Sequence, residues 1–401
     1  MLFLQVHPYI IEMNAKGYFM KGQNGKINIL VLCSFYSSYV TQLCKYMKKF
    51  YPQIEYSLLT HKNAVEEYKA DIEFIQNIYY YETTKTRLFH HQIDKLPLFD
   101  IIHSLWMEPV WGINARTLKK KARYWFNSVG GSDLYRFSSQ YLTKILQKRI
   151  IRYSDWISSE NNQTRDYFYK VYGEKYRTVE HSICRFGVDI IDYIKQFKQE
   201  GKIPKTISEG IPDNRISILC GTNASENHQH FAMIDAISRL NKEQRDKCHF
   251  IFPMTYPEGK ESYIGEVSAQ ISQVTDSFTI LTKYMSVQEM AELAMITDVM
   301  LHVQTTDQLS SAMISHMYNG NIVIAGAWLP YDTLQNNHVF FLKVEKVSDL
   351  TLKMEEVISG FADFKEKCSK NADAIYQLSS WEMASAEWMK VYTSLGNCET
   401  R

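Results

Sequence analysis

RISILCGTNASENHQHFAMIDAISRL, residues 215–240, opens on a short β-rich apolar run and closes on a stretch of helix length. Between them lies CGTNASENHQHF (220–231), a turn rich in small and polar residues. A strand that ends in such a turn and feeds a helix presents free main-chain N–H groups, and with the helix dipole these favour phosphate. The turn is not G-x-G-x-x-G, so the dinucleotide fingerprint is absent. A plain strand–helix loop with Asn227 as its cap is the other reading of the same residues.

The same unit recurs on both sides. C-terminal to it, apolar runs fall at 249–253 (HFIFP), 278–281 (FTIL), 298–304 (DVMLHVQ), 321–325 (NIVIA) and 338–342 (HVFFL). N-terminal to it, INILVLC at 27–33 leads into a helical stretch at 38–50, and further runs fall at 54–60, 73–78, 99–106, 123–129, 156–159 and 178–184. Strands separated by helix-length intervals specify parallel sheets with crossover helices. Residues 190–213 are polar, hold two Pro and two Gly, and read as a linker with a short helix. The expectation is α/β: two Rossmann-like doubly wound domains at 1–189 and 214–377, joined by that linker. A last helix near 378–395, within a C-terminal piece at 378–401, either caps its own domain or packs back across the molecule.

Composition narrows the function. The 401 residues carry 45 basic and 44 acidic side chains, a net charge of +1, which argues against a protein that coats nucleic acid. Hydrophobic residues make up 45%, enough for full cores. Seven cysteines, at 33, 44, 184, 220, 248, 368 and 398, are odd in number and form no CxxC pair. They read as reduced thiols of a cytoplasmic protein, and no metal site is expected of them. The N-terminal MLFLQVHPYIIEMNAKGYF lacks a basic leader and a small-residue cleavage site and makes a poor signal peptide. No apolar run reaches the roughly 18 residues of a membrane span.

Four further segments carry chemistry. TTDQLSSAMIS (305–315) ends the run DVMLHVQ, and its small hydroxyl residues at a helix start suit a diphosphate. Asp307 there either caps the helix or binds a sugar hydroxyl. FPMTYP (252–257) places Thr255 and Tyr256 after a strand, as cleft lining or as a structural proline turn. TKYM (282–285) puts Lys283 and Tyr284 at a strand's C-terminal end, where open α/β sheets bind ligands, and Ser286 with Glu289 forms an S-x-x-E capping box behind it. FNSVGGSDLYR (126–136) offers Gly130 and Gly131 for a tight turn, with Ser132 and Asp133 at the strand lip. Asp133 reads as a base, an acceptor-binding carboxylate or a helix cap. His103, ending LFDIIHS, reads as a base or as a structural histidine. Two basic stretches remain, KKKAR at 119–123 and YLTKILQKRIIR at 141–152; the second is patterned either as a solvated helix or as one that lies on an anionic bilayer.

GSDLYR (131–136), ENHQHF (226–231) and PMTYPEGKESYIGEV (253–267) together resemble the bacterial family of TDP-Fuc4NAc:lipid II Fuc4NAc transferases, glycosyltransferase family 56, in order and approximate spacing. The resemblance spans roughly 97–345. It implies a GT-B fold with two domains facing a central cleft and a hexosyl transfer from a nucleoside-diphosphate sugar to a polyprenyl-diphosphate-linked saccharide. The setting it implies is cell-surface polysaccharide assembly at the cytoplasmic face of the membrane. The nucleotide-sugar is then a co-substrate, and no cofactor, metal or nucleic acid is implied.

On that reading the donor site comprises Gly221, Thr222, Asn223, His228 and His230 in the first donor loop. Thr255, Tyr256, Lys283 and Tyr284 follow in the next two, and Asp307, Leu309, Ser310 and Ser311 in the last. Gly130, Gly131 and Ser132 face the acceptor, with Asp133 or His103 catalytic. RFGVD (185–189) is similar to the Asn-Gly-Val-Asp element of retaining GT-B enzymes, with Phe186 where Asn is usual. Their Glu-x7-Glu motif falls on Asp307 and Ser315, so the second carboxylate is missing, as are the usual Arg and Lys of the first donor loop. Diphosphate charge is then met by main-chain amides, hydroxyls and histidines, or by Arg185 or Lys283. Two alternatives follow: a non-catalytic GT-B partner subunit or carbohydrate-binding chaperone, and a GT-B-like nucleotide-sugar epimerase.

Overall fold

The structure is a computed structural model that describes residues 26–69, 73–208 and 210–397. The N-terminal stretch read as a poor signal peptide, and Cys398, lie outside the described residues.

Seven strands form the first sheet: β1 (Ile27–Leu32), β2 (Ile54–His61), β3 (Asn77–Tyr81), β4 (Phe99–Ser104), β5 (Ala122–Ser128), β6 (Trp156–Ser159) and β7 (Glu180–Ile183). They are all parallel, in the order β3-β2-β1-β4-β5-β6-β7. Six more form the second sheet: β8 (Ile216–Cys220), β9 (Cys248–Pro253), β10 (Phe278–Leu281), β11 (Val299–His302), β12 (Ile322–Gly326) and β13 (Leu342–Val344). These are parallel too, in the order β10-β9-β8-β11-β12-β13. Both are doubly wound, and in each the order reverses beside the first strand. Ligands of such sheets bind at that reversal, beyond the strands' carboxyl ends. The loops after β1, β4, β8 and β11 are therefore the ones positioned to build a site.

The central strands are buried on both faces, Ile29 to Leu32 and Val299 to Leu301 being at most 1% exposed, which is why they read as unbroken apolar runs. Two expected strands move. β3 begins at Asn77 rather than 73, because Ile75 is turned into the core and pairing with β2 starts at Ser57–Asn77. In HVFFL, Asn371 takes both main-chain groups of Phe340 at 2.8 Å, while Val339 and Phe341 plug the core as loop residues. Sheet pairing consequently starts at Leu342.

The segment 190–213 is less of a linker than its polarity suggests. Ile190, Ile191, Ile194 and Phe197 share one face of helix Ile190–Glu200 and pack into the second domain's core. The loop beyond is pinned by buried Glu292, whose carboxylate accepts from the N–H groups of Thr206, Ile207 and Ser208 at 3.0 Å. The expected final helix is two helices, Ala372–Ser379 and Trp381–Asn397, separated by extended Ser380. The second packs into the core of the first domain: Trp381 stacks on Tyr46 at 4.9 Å, and Tyr392 accepts from the Tyr56 hydroxyl at 3.1 Å. No disulfide joins the described cysteines, all six of which are buried. Among the described residues no helix is long and apolar enough to cross a membrane.

Candidate functional site

A cleft of about 790 Å³ lies between the carboxyl ends of the two sheets. Its second-domain wall starts at Gly221, where the chain turns at φ +74°. A Cβ at this position would come within 2.6 Å of His230 Nε2, so the turn requires glycine. Asn223 Oδ1 accepts from Ser225 N at 2.8 Å, and Ser225 caps the single turn Glu226–His228. Asn227 does not cap the following helix. Its side chain donates to Gln304 Oε1 (2.7 Å) and Thr306 O (2.9 Å) and accepts from Thr306 N (3.1 Å), tying the loop after β8 to the loop after β11.

Thr222, Asn223 and His228 line the cleft; Gly221 and His230 stand behind them. The His228 ring meets Thr222 Oγ1 through Nε2 at 3.2 Å, and its buried Nδ1 has no partner among the described residues. Burial, and then its neighbours His230 and His302, hold His228 well below the usual imidazole pKa. His230 bonds Tyr263 through Nδ1 at 2.9 Å, and burial takes its pKa down to about 4. Thr255, Tyr256 and Tyr284 line the cleft, but Lys283 does not; its side chain points to solvent. The capping box behind it forms as expected between Ser286 and Glu289.

The loop after β11 supplies Asp307, Gln308, Leu309 and Ser310 to the cleft wall, and helix Ser311–Asn319 starts there. Ser310, not Asp307, is its cap, accepting from Met313 N at 3.3 Å. Asp307 is held instead by a short hydrogen bond from the Tyr331 hydroxyl, with His302 Nε2 3.5 Å away. Ser315 lines the cleft but donates to Ala312 O at 2.7 Å. Across the cleft, the Tyr39 hydroxyl lies 3.2 Å from Ser311 Oγ, at the helix start.

Gly130, Gly131 and Ser132 line the first-domain wall. Gly131 has φ +73°, and a Cβ there would meet Gln308 Oε1 of the second domain at 2.8 Å. The two residues expected to be catalytic stand elsewhere. Asp133 is buried beneath the turn, accepting from Gly130 N (3.0 Å) and Met107 N (2.9 Å), and burial lifts its pKa to about 6. His103 is fully buried; its Nδ1 meets the Tyr392 hydroxyl at 2.8 Å and its Nε2 the Ser128 hydroxyl at 2.9 Å. It faces the C-terminal helix, not the cleft lip. Arg185 is also engaged, paired with Glu387 of that helix, and does not line the cleft.

Three cleft residues had no role assigned to them from the sequence. Glu160, in the loop after β6, is half-buried in the wall, and burial together with the charge of Asp307 raises its pKa to about 8. Arg136 is the only Lys or Arg lining the cleft among the described residues. Gln308 links the domains, its Nε2 donating to Val129 O at 3.5 Å and its main-chain carbonyl accepting from Asn161 Nδ2 at 3.1 Å. Arg136, ending GSDLYR, and Gln308, inside TTDQLSSAMIS, lay in segments the sequence singled out; Glu160 gave no signal in advance.

No family model matches the chain. In three dimensions it is similar to a glycosyltransferase from Rickettsia africae, at TM-score 0.68 and 15% identity, over 92% of this chain and 98% of that one. It is similar to Anabaena HepE in complex with UDP-glucose, at 0.71 and 13%, over 92% and 100%. A sucrose-phosphate synthase from Thermosynechococcus elongatus matches at 0.69 and 11%, over 92% and 99%. The likenesses are of fold and do not single out the Fuc4NAc transferase family. Two parallel, doubly wound sheets that face each other across one cleft, matched along nearly the whole chain, give this protein the GT-B fold.

Proposed function

We propose that the protein transfers a hexosyl group from a nucleoside-diphosphate sugar to a saccharide acceptor. In the finer form of the proposal the acceptor is linked to polyprenyl diphosphate and met at the cytoplasmic membrane face, during cell-surface polysaccharide assembly. The observation that carries the reading is the second-domain wall. There the start of helix Ser311–Asn319, the hydroxyls of Thr222 and Ser310, and the His228 ring, whose Nδ1 has no partner among the described residues, converge on one cleft. That chemistry suits a diphosphate held by N–H groups, hydroxyls and imidazole, without calling on a metal ion. Similar folds hold UDP and UDP-glucose.

Asp307, fixed by Tyr331, accepts a hydrogen bond from a sugar hydroxyl in this reading. Main-chain N–H groups at Ser311 and Ala312 stabilise charge on the leaving diphosphate as the glycosidic bond breaks. Glu160, the half-buried carboxyl on the acceptor wall, orients the acceptor's hydroxyl or, in its ionised form, takes its proton, in place of Asp133 and His103.

A second reading, a non-catalytic partner subunit, is favoured by the cleft lining: among the described residues it holds a single Lys or Arg, and Ser315 is bonded internally. Calorimetry against UDP-, dTDP-, GDP- and CMP-sugars, followed by product analysis with and without acceptor, separates the two. A binding nucleotide-sugar and a glycosylated product support transfer. Binding without turnover supports the partner subunit. Failure to bind at millimolar concentration overturns the donor site itself.

A further inference from the structure

Ten of the 45 Lys and Arg residues fall between 109 and 154, and only one of the 44 acids, Asp133, which is buried. With a net charge of +1 for the whole chain, the remainder carries an acidic excess. The basic segment also holds the densest cluster of exposed apolar side chains: Tyr141 is 78% exposed, Leu142 73%, Phe137 47% and Ile145 46%.

Helix Tyr141–Tyr153 explains the arrangement. Gln147, Ile150 and Ile151 face inward, and the helix lies so close to Pro109–Lys119 that a Cβ on Gly112 would meet Leu146 O at 2.5 Å. The outward stripe, at three- and four-residue spacing, is Leu142, Ile145, Arg149 and Arg152, all exposed. Apolar tips occupy its first half and guanidinium groups its second. No acidic residue lies on the helix.

Next to this stripe a hollow of about 350 Å³ opens, with Phe137 and Thr143 on its outer side. Its inner wall, Phe35, Trp106 and Ser132, is shared with the main cleft. An apolar hollow thus joins the exposed stripe to the acceptor side of the cleft.

We propose that Phe137 and the outer face of helix Tyr141–Tyr153 dock the protein on an anionic lipid bilayer. Leu142 and Ile145 enter the headgroup–acyl boundary, and Arg149 and Arg152 reach the lipid phosphates. A nucleic acid would satisfy the cations but leave the apolar tips and the hollow in water; a bilayer accommodates both. The acidic excess elsewhere orients the molecule with this face down. The inference rests on the membrane-face setting of the proposed function, but its test is read without any donor or acceptor, so its failure is separable from failure of sugar transfer.

The test is flotation of the full chain with vesicles of phosphatidylcholine alone, or with one third phosphatidylglycerol. Binding is expected only to the anionic vesicles, at low ionic strength, and falling as the screening length drops from about 30 Å at 0.01 M toward about 3 Å at 1 M. Leu142→Glu with Ile145→Glu is expected to cut the bound fraction about tenfold. Arg149→Ser with Arg152→Ser is expected to cut it and flatten the salt dependence. Leu352→Glu, a 70% exposed site on the second domain, is expected to change nothing. These are surface positions, and unchanged melting temperatures check that each variant folds. No flotation with anionic vesicles at low salt overturns the proposal. So does undiminished flotation of the Leu142/Ile145 variant, which would point to a polyanion-binding surface instead.

Discussion

The hydroxyl of Tyr331 donates to the carboxylate of Asp307, and the same hydroxyl lies 2.7 Å from His302 Nε2. Tyr331 is 1% exposed, whereas the Asp307 side chain keeps 17% of its surface open to the cleft. One end of the group is thus anchored in the core of the second domain and the other is presented to ligand. Asp307→Ala is expected to weaken nucleotide-sugar binding by about 1–3 kcal/mol, tenfold or more, with little change in melting temperature. Tyr331→Phe should instead cost stability, about 1–3 kcal/mol, because it takes the hydrogen-bond partner from buried His302 as well as from Asp307, whereas Asp307→Ala leaves the Tyr331 hydroxyl bonded to His302. Calorimetry and chemical unfolding of the two variants check this division. Equal losses of affinity and stability in both would show that Asp307 is only structural.

Glu160 gives the proposed activity a pH dependence of definite sign. Its pKa of about 8 leaves the carboxyl largely neutral at pH 7, and rising pH adds a negative charge to a wall that already holds Asp307. Donor phosphates are anionic, so donor affinity is expected to fall as pH rises through about 8, and to stay flat in Glu160→Gln. Transfer by Glu160→Gln is expected to drop by about 10²-fold if this carboxyl handles the acceptor's proton. Measuring KM and kcat separately between pH 6 and 9 distinguishes the two effects. Identical profiles for wild type and variant would remove Glu160 from the site.

How far the site was legible in the sequence depends on which property each residue uses. The strands could be read because central parallel strands are buried on both faces, and runs such as 27–33 and 215–220 have no other stable use. The loops after β8 and β11 could be read because they follow those runs directly. Side-chain direction at a strand end could not. His103 and Asp133 do sit at carboxyl ends, but the first turns toward Tyr392 and the second beneath its own turn, and nothing local distinguishes inward from outward. Arg185 looked free because its partner, Glu387, is 202 residues away on a helix whose docking site was open to two readings. Asn227 reads locally as a cap; its bonds to Gln304 and Thr306 exist only once β8 and β11 are neighbours.

His103 carries a consequence for stability. Buried and bonded on both ring nitrogens, it is pushed down to about 3, whereas an unfolded chain binds that proton near 6.5. A histidine pKa depressed in the folded state means that the unfolded state takes up more protons over the interval. Its contribution is complete above about pH 6.5 and is lost as pH falls toward 3, at up to roughly 1.4 kcal/mol per unit. Between pH 6.5 and 5 the wild type is therefore expected to lose about 2 kcal/mol more than His103→Gln, although the variant is the less stable at neutral pH. Urea unfolding at both pH values measures it. Parallel losses in the two proteins would mean that the ring accepts a proton inside the fold.

The contact of Gly131 with Gln308 is where the two domains come closest to being one structure at the site. Gly131 holds φ at +73°, and a methyl group there would stand 2.8 Å from Gln308 Oε1, on the loop that also carries Asp307. Gly131→Ala therefore introduces two faults at once. The left-handed backbone costs about 1–2 kcal/mol with a side chain present, and the methyl pushes the Gln308 side chain away from Val129 O. The first fault lies wholly within the first domain and is expected to lower its melting temperature. The second opens the cleft on its acceptor side and is expected to lower the transfer rate while donor affinity, set by the second-domain wall, changes less than about threefold. Gln308→Ala keeps the backbone unstrained and removes the same side-chain link to Val129, leaving Asn161 bonded to the main-chain carbonyl at 308, so it should reproduce the loss of rate without the loss of stability. If Gln308→Ala transfers sugar at the wild-type rate, the interdomain contact is packing alone, and the effect of Gly131→Ala is strain.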